Sequence, residues 1–236
     1  MSTPAHRRRS HRPRQAPARH PLRLAVFDLD GTLKVAFSPW RYLHEALGVE
    51  EQAAVYRTRF FAGEIDYWEW ARLDAALWKG VELARVEEIF RHSEYRPGVR
   101  ELFTLLNQHG VPTAIVSTGL DVHVRQVAAD LGVRGTLSNE LVVREGRLTG
   151  EAVVRVTEDS KGAAMTALRH EFGAQSQECL AVGDGPADVD LFAQAGLAIA
   201  VCPRDERVRR AAHVVIDDGD LGAIIPLLAQ HFDFPG

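Results

Sequence analysis

A chain of 236 residues, 46% hydrophobic and 25% charged, has room for one large domain or for a core plus an insertion, and its composition is that of an ordinary globular protein. No apolar run approaches the roughly 18 residues that cross a bilayer, which excludes a membrane-spanning helix. The formal charge of -4 conceals an asymmetry: residues 1–21 hold six arginines and no acid, the rest holds 22 basic against 32 acidic residues, and so acidic a body argues against specific nucleic-acid binding, leaving only weak polyanion contact to the tail.

The tail, 1–21, is built from Arg, His, Pro and Ala with nothing to bury, and is expected to be disordered. It has no apolar signal core, which predicts a cytoplasmic protein. Cys179 and Cys202 lie in apolar runs without ligand spacing, as free thiols do in a reducing compartment. Residues 22–27, apolar but for one Arg, read as a buried strand that stops at Asp28-Leu29-Asp30-Gly31-Thr32.

Past that point the pattern turns helical. Amphipathic stretches over 39–47, 51–62, 66–78 and 83–92 are punctuated by Gly48, Gly63 and Gly80, and all four tryptophans (Trp40, Trp68, Trp70, Trp78) fall among them. Residues 37–96 therefore read as a helical cap inserted into a core made of 22–36 and 97–236. From Pro97-Gly98 onward, helices (99–108, 122–131, 162–172, 188–195, 206–212, 221–231) alternate with strands (111–117, 179–183, 197–202, 213–216). A hairpin within 137–153 turns at Glu145-Gly146. The predicted fold class is α/β: a Rossmann-like parallel sheet with helices on both faces, plus the small cap after the first strand.

Ligands of such sheets bind beyond the carboxyl ends of the strands, where polar clusters interrupt the apolar runs. Three clusters stand there: Asp28 and Asp30; Ser117-Thr118-Gly119; and Gly183-Asp184-Gly185-Pro186-Ala187-Asp188. Asp28 and Asp30, two apart on a strand, project toward one spot, an arrangement that suits a divalent cation or a division between nucleophile and acid/base. Lys161 stands out because only three of 28 basic residues are lysines, and because a cation at a helix start opposes the macrodipole. A contact with a phosphoryl oxygen would account for it. His44, His92, His109, His123 and His170 have no paired metal spacing and are expected at the surface. Arg204, Arg207, Arg209 and Arg210 read as a solvated helix face, with a place near the phosphate as the alternative.

Together, Asp28-x-Asp30-Gly31-Thr32, Ser117-Thr118-Gly119, Lys161 and Gly183-Asp184-Gly185-x-x-Asp188 resemble the four ordered motifs of the haloacid dehalogenase superfamily phosphatases, in particular the phosphoserine phosphatase branch. The resemblance implies Mg²⁺ as cofactor and a small-molecule phosphate ester as substrate, hydrolysed through an aspartyl-phosphate. It further implies that Asp28 is the nucleophile and Asp30 the acid/base. The metal would be held by Asp28, the Asp30 carbonyl and Asp184, supported by Thr32 and Asp188. The phosphoryl group would be held by Ser117, the amides near Thr118 and Gly119, and Lys161. Transfer to an acceptor alcohol would use the same residues. A non-catalytic phosphate-binding or scaffold protein would normally have lost the nucleophile or acid, and both are present.

The resemblance thins in the cap. The branch grips serine with a glutamate soon after the first motif and an arginine on a later cap helix, whereas no Glu occurs between Leu33 and His44 and the matching place is near Phe37 or Ser38. An ungapped alignment puts Asp74 at the arginine position, with Arg72 two residues earlier. A small phosphorylated alcohol other than phosphoserine is therefore expected. Asp74 with Trp70 or Trp78 would receive a cationic or amino-bearing leaving group, unless these tryptophans are only the cap's own core.

Overall fold

The computed structural model describes residues 19–234. Nine strands occur among them in chain order: β1 His20–Pro21, β2 Leu24–Phe27, β3 Thr113–Leu120, β4 Gly135–Arg144, β5 Arg147–Val153, β6 Cys179–Gly183, β7 Leu197–Val201, β8 Val214–Ile216 and β9 Phe232–Asp233. Ten α-helices accompany them: α1 Pro39–Leu47, α2 Glu50–Phe61, α3 Tyr67–Ala76, α4 Leu83–Arg91, α5 Val99–Gln108, α6 Asp121–Leu131, α7 Lys161–Phe172, α8 Val189–Phe192, α9 Glu206–Ala211 and α10 Ile224–His231. Seven strands form one sheet in the order β5-β4-β3-β2-β6-β7-β8, parallel throughout except for the β4–β5 hairpin.

The sheet is buried on both faces, which is why its central strands read as unbroken apolar runs. Along β2, Ala25 and Phe27 enter one core with α5, α6 and α10, while Leu24 and Val26 enter a second with α7, α8 and α9. β6 and β7 divide in the same way, Leu180, Val182, Leu197 and Ile199 on one side and Ala181, Ala198 and Ala200 on the other. Small residues on the second face let α7 pack close to the strands, and this sets the start of α7, Lys161, near the strand ends.

A third core joins α1, α3 and α4 to the hairpin, with Leu43, Ala75, Trp78, Val86, Phe90, Leu141 and Leu148 buried together. Ser38 caps α1, accepting from the Arg41 N–H at 3.3 Å, and Asp66 caps α3, accepting from the Glu69 N–H at 2.8 Å. The chain leaves the core after β2 and returns beside its point of exit, since Lys34 and Tyr95 form an antiparallel bridge.

Several expectations shift. β3 runs to Leu120, not Ser117, because its pairing with β4 slips register between Val116 and Leu120 and keeps Ser117-Thr118-Gly119 extended. The helix expected over 188–195 is a 3-10 turn, Pro186–Asp188, followed by the four residues of α8. The disorder expected for 1–18 lies outside the described residues, but His20-Pro21 at the end of that tail pairs in parallel with Phe232-Asp233. Cys179 is buried and Cys202 partly so, both free. No helix among the described residues is long and apolar enough to cross a membrane.

Candidate active site

The carboxyl ends of β2, β3 and β6 bring the three polar clusters together with the start of α7. Lys161 is 2% exposed; its Nζ donates to Asp28 Oδ1 at 2.5 Å and to Asp188 Oδ1 at 2.7 Å. The other oxygen of Asp188 accepts the Asp184 and Gly185 N–H groups, each at 3.0 Å, so Asp188 is fully engaged in shaping the loop after β6. Thr32 Oγ1 donates to Asp184 Oδ1 at 2.9 Å. Asp28, Asp184 and Asp188 each present an oxygen within 4.8 Å of the others.

This cluster carries more negative than positive charge in a buried place. Burial pushes the Asp28 carboxyl well above its ordinary range, against the pull of Lys161 and with the neighbouring carboxylates adding to the rise. Burial, then Asp188, raises Asp184 to about 7. Burial opposes the Lys161 charge, yet Asp188 and Asp28 more than offset it, and the ammonium is held in its charged form. One lysine does not balance these carboxylates, and few hard oxygen donors around an uncompensated charge suit a small divalent cation such as Mg²⁺. Gly31 leaves room for the Asp184 carboxylate: its φ is +91°, and a Cβ there would lie 2.4 Å from Asp184 Oδ2.

Asp30 belongs to a separate network. Its Oδ2 accepts from Ser117 Oγ at 3.2 Å, and its Oδ1 lies 3.2 Å from His123 Nδ1. His123 Nε2 is 3.2 Å from Ser93 Oγ, its ring stacks on Phe90 at 4.6 Å, and the Ser93 carbonyl accepts from Lys34 Nζ at 2.7 Å. Gly119 is required where it stands, because a Cβ would approach Asp30 Oδ2 to 2.6 Å. The Thr118 carbonyl accepts from Trp40 Nε1 (3.2 Å), Tyr67 Oη (3.2 Å) and Asn139 Nδ2 (2.8 Å), so donors from the helical segment and from β4 fix the backbone at the end of β3. Burial pushes the Tyr67 phenol up to about 12, which keeps that donor protonated.

Asp28, Asp30, Ser117 and Thr118 form the core side of a cavity of about 180 Å³ whose opposite wall comes from the helical segment. Phe37, Trp70 and Asp74 line that wall. Arg72 does not. Two positions apart on a helix face nearly opposite sides, and Arg72 points outward to pair with Glu69 at 2.8 Å while Asp74 is buried. Trp78 is fully buried in the third core and does not line the cavity.

The histidines are the clearest correction. His44 and His123, expected at the surface, are each 1% exposed, His44 with Nε2 3.2 Å from Asp74 Oδ2 and His123 beside Asp30. A signal for His123 was available: it falls in the first turn of the helix that follows the Ser-Thr-Gly strand end. Asn139 was missed altogether; fully buried, it joins the Thr118 and Val156 carbonyls to the Arg155 and Val156 N–H groups. Arg204 is exposed, as expected, and its guanidinium also lies 3.4 Å over the Phe37 ring.

The description of the haloacid dehalogenase-like hydrolases matches residues 25–193, which include all four motifs. The phosphoserine phosphatase of Methanocaldococcus jannaschii is 29% identical over 204 residues, covering 86% of this chain and 96% of that protein. That of Wolinella succinogenes is 31% identical over 205 residues, 86% and 98% of the two chains. A solved phosphoserine phosphatase carrying a phospho-aspartyl intermediate analogue superimposes with a TM-score of 0.75 at 27% identity, covering 88% of this chain and 99% of that one. With a family match over most of the folded body, near-complete overlap with these enzymes, and carboxylates, hydroxyl and lysine meeting at the carboxyl ends of the central strands, the chain belongs to the haloacid dehalogenase-like hydrolases and is a phosphoric monoester hydrolase of phosphoserine phosphatase-like type.

Proposed function

We propose that the protein is a cytoplasmic, Mg²⁺-dependent phosphatase that cleaves a small phosphorylated metabolite through an aspartyl-phosphate on Asp28, with residues 37–96 acting as a cap over the core formed by 22–36 and 97–236. The observation that carries this reading is the meeting of Asp28 with Lys161 at 2.5 Å beside Asp184, where Asp28 lines a cavity that also reaches Asp30. Asp28, the Asp30 carbonyl and Asp184 would hold the metal, which supplies a Lewis acid that draws charge from the phosphoryl oxygens. Asp28 attacks phosphorus in line while Ser117, the amides of Thr118 and Gly119, and Lys161 take up the oxygens. Asp30 gives a proton to the departing alkoxide and recovers one from the water that hydrolyses the acyl phosphate. Asp188 orients Lys161 and shapes the Asp184 loop.

The test is release of phosphate from an aryl phosphate. Activity present with Mg²⁺, abolished by a chelator and restored by Mg²⁺ supports the proposal; activity indifferent to chelation refutes it. Release of free phosphate without an added alcohol separates hydrolysis from transfer.

His123 acts here as a positioning residue for Asp30. Replacing it with Phe keeps the stack on Phe90 but removes both nitrogens, and kcat is expected to fall about 10- to 100-fold, the usual cost of losing such a supporting contact. The loss should be larger for alkyl than for aryl esters, because only a poor leaving group needs Asp30's proton. Equal loss on both substrates would assign His123 a purely structural role.

A further inference from the structure

The helical wall of the cavity carries a carboxylate that the chemistry at phosphorus does not use. Asp74 is 3% exposed; its Oδ2 lies 3.2 Å from His44 Nε2, and its Oδ1 is buried with no hydrogen-bond partner. Whether His44 neutralises it is decided by Trp78. The Trp78 indole N–H donates to His44 Nδ1 at 3.1 Å, and an indole nitrogen only donates, so Nδ1 carries a lone pair and the single ring proton is on Nε2. A doubly protonated ring would set two N–H groups against each other where both side chains are at most 1% exposed. His44 is therefore neutral, and Asp74 faces a dipole instead of a cation.

Among the described residues, no cation contacts Asp74 in its place. Arg57 and Glu50, the next charged groups around Asp74, are engaged with one another at 2.8 Å. No lysine, arginine or histidine lines the cavity, and Glu158 at its edge adds a second acid. Burial raises the Asp74 carboxyl above its ordinary range, a cost that an incoming cation would remove. Trp40, Tyr67 and Trp70 line the same wall and offer aromatic faces that attract a cation. The unpartnered Trp70 Nε1–H is a single donor, too little to hold a carboxylate beside two acids.

We infer that Asp74 Oδ1 receives an ammonium group of the substrate's alcohol part, so that the substrate class is the phosphate monoester of an amino alcohol without a carboxylate. This rests on the phosphatase reading and deepens it. It also separates the chain from its phosphoserine-cleaving relatives: an amino acid ester would bring its carboxylate toward Asp74 and Glu158 with no cation among the lining residues to meet it.

The experiment compares kcat/KM of the Mg²⁺-loaded protein for O-phosphoethanolamine, ethylene glycol monophosphate and O-phosphoserine, with an aryl phosphate as control. The aminoethyl ester is expected to exceed the hydroxyethyl ester about tenfold or more, the scale of a charge-assisted contact out of water, and to exceed phosphoserine. In Asp74→Asn the aminoethyl to hydroxyethyl ratio should fall to about one. A wild-type ratio of one or less, a preference for phosphoserine, or a ratio unmoved by Asp74→Asn would overturn the inference. Calorimetric binding of the same three esters to Asp28→Asn, which reads the cavity without turnover, gives the same order if the inference holds. Failure on the aryl control with that order intact would count against the phosphatase reading alone.

Discussion

Asp28→Asn is expected to lower kcat on an aryl phosphate by on the order of 10⁶-fold, as loss of a covalent nucleophile does in other enzymes. The side chain keeps its shape, its place at the end of β2 and its neighbour Lys161, so the defect falls on chemistry and not on folding. Stability should hold or rise. Burial already disfavours the ionised Asp28 among neighbouring carboxylates, and a neutral amide removes one of those charges. Denaturant unfolding alongside kinetics reads both effects. Retention of more than a thousandth of the wild-type rate, or a loss of stability matching the loss of rate, would show that Asp28 is not the nucleophile.

Lys161→Met is expected to fail differently. Methionine fills much of the lysine's volume, so little cavity is created, but Asp28 and Asp188 lose the ammonium that both contact within 2.7 Å. Breaking a buried pair from one side costs about 3–5 kcal/mol because the abandoned charge stays out of water. Here two carboxylates are abandoned at once. Turnover should fall by a further and separable factor of roughly 10² to 10³, the cost of deleting one donor to the developing phosphoryl charge. A destabilisation below about 1 kcal/mol would mean that Lys161 resembles an exposed ion pair, contrary to its 2% exposure.

The residues that carry these two predictions were legible in the sequence for a physical reason. Asp28, Asp184 and Ser117 each follow a run of apolar residues buried on both sides of a parallel sheet, and a carboxylate or hydroxyl at such a point has a cost that needs an explanation. Lys161 was legible because the chain otherwise uses arginine. The alternation of 3.6- and 2-residue periods likewise disclosed the sheet and the helical insertion, since periodicity reports burial directly. Register did not show: the slip that keeps β3 extended to Leu120 depends on its pairing with β4, residues distant in sequence.

Lone polar residues that become buried were the hidden part. His44, Trp78 and Asp74 are separated by up to 34 positions and form one unit only after α1 and α3 pack. A single histidine has no period, and its surroundings come wholly from tertiary contacts. His123 and Asn139 share this property: His123 meets Asp30 and Ser93, and Asn139 holds the Thr118 carbonyl near the end of β3. The choice between Arg72 and Asp74 turned on helix phase, which an ungapped alignment does not preserve.

The proposed hydrolysis depends on covalent capture of the phosphoryl group by Asp28, and the most direct measurement is acid quenching of the Mg²⁺-loaded protein during turnover, followed by peptide mass spectrometry. A single added HPO₃ on Asp28, absent without metal and absent in Asp28→Asn, is the predicted result. Turnover with Asp28 unmodified under the same quench, or the phosphoryl group on another side chain, would contradict it.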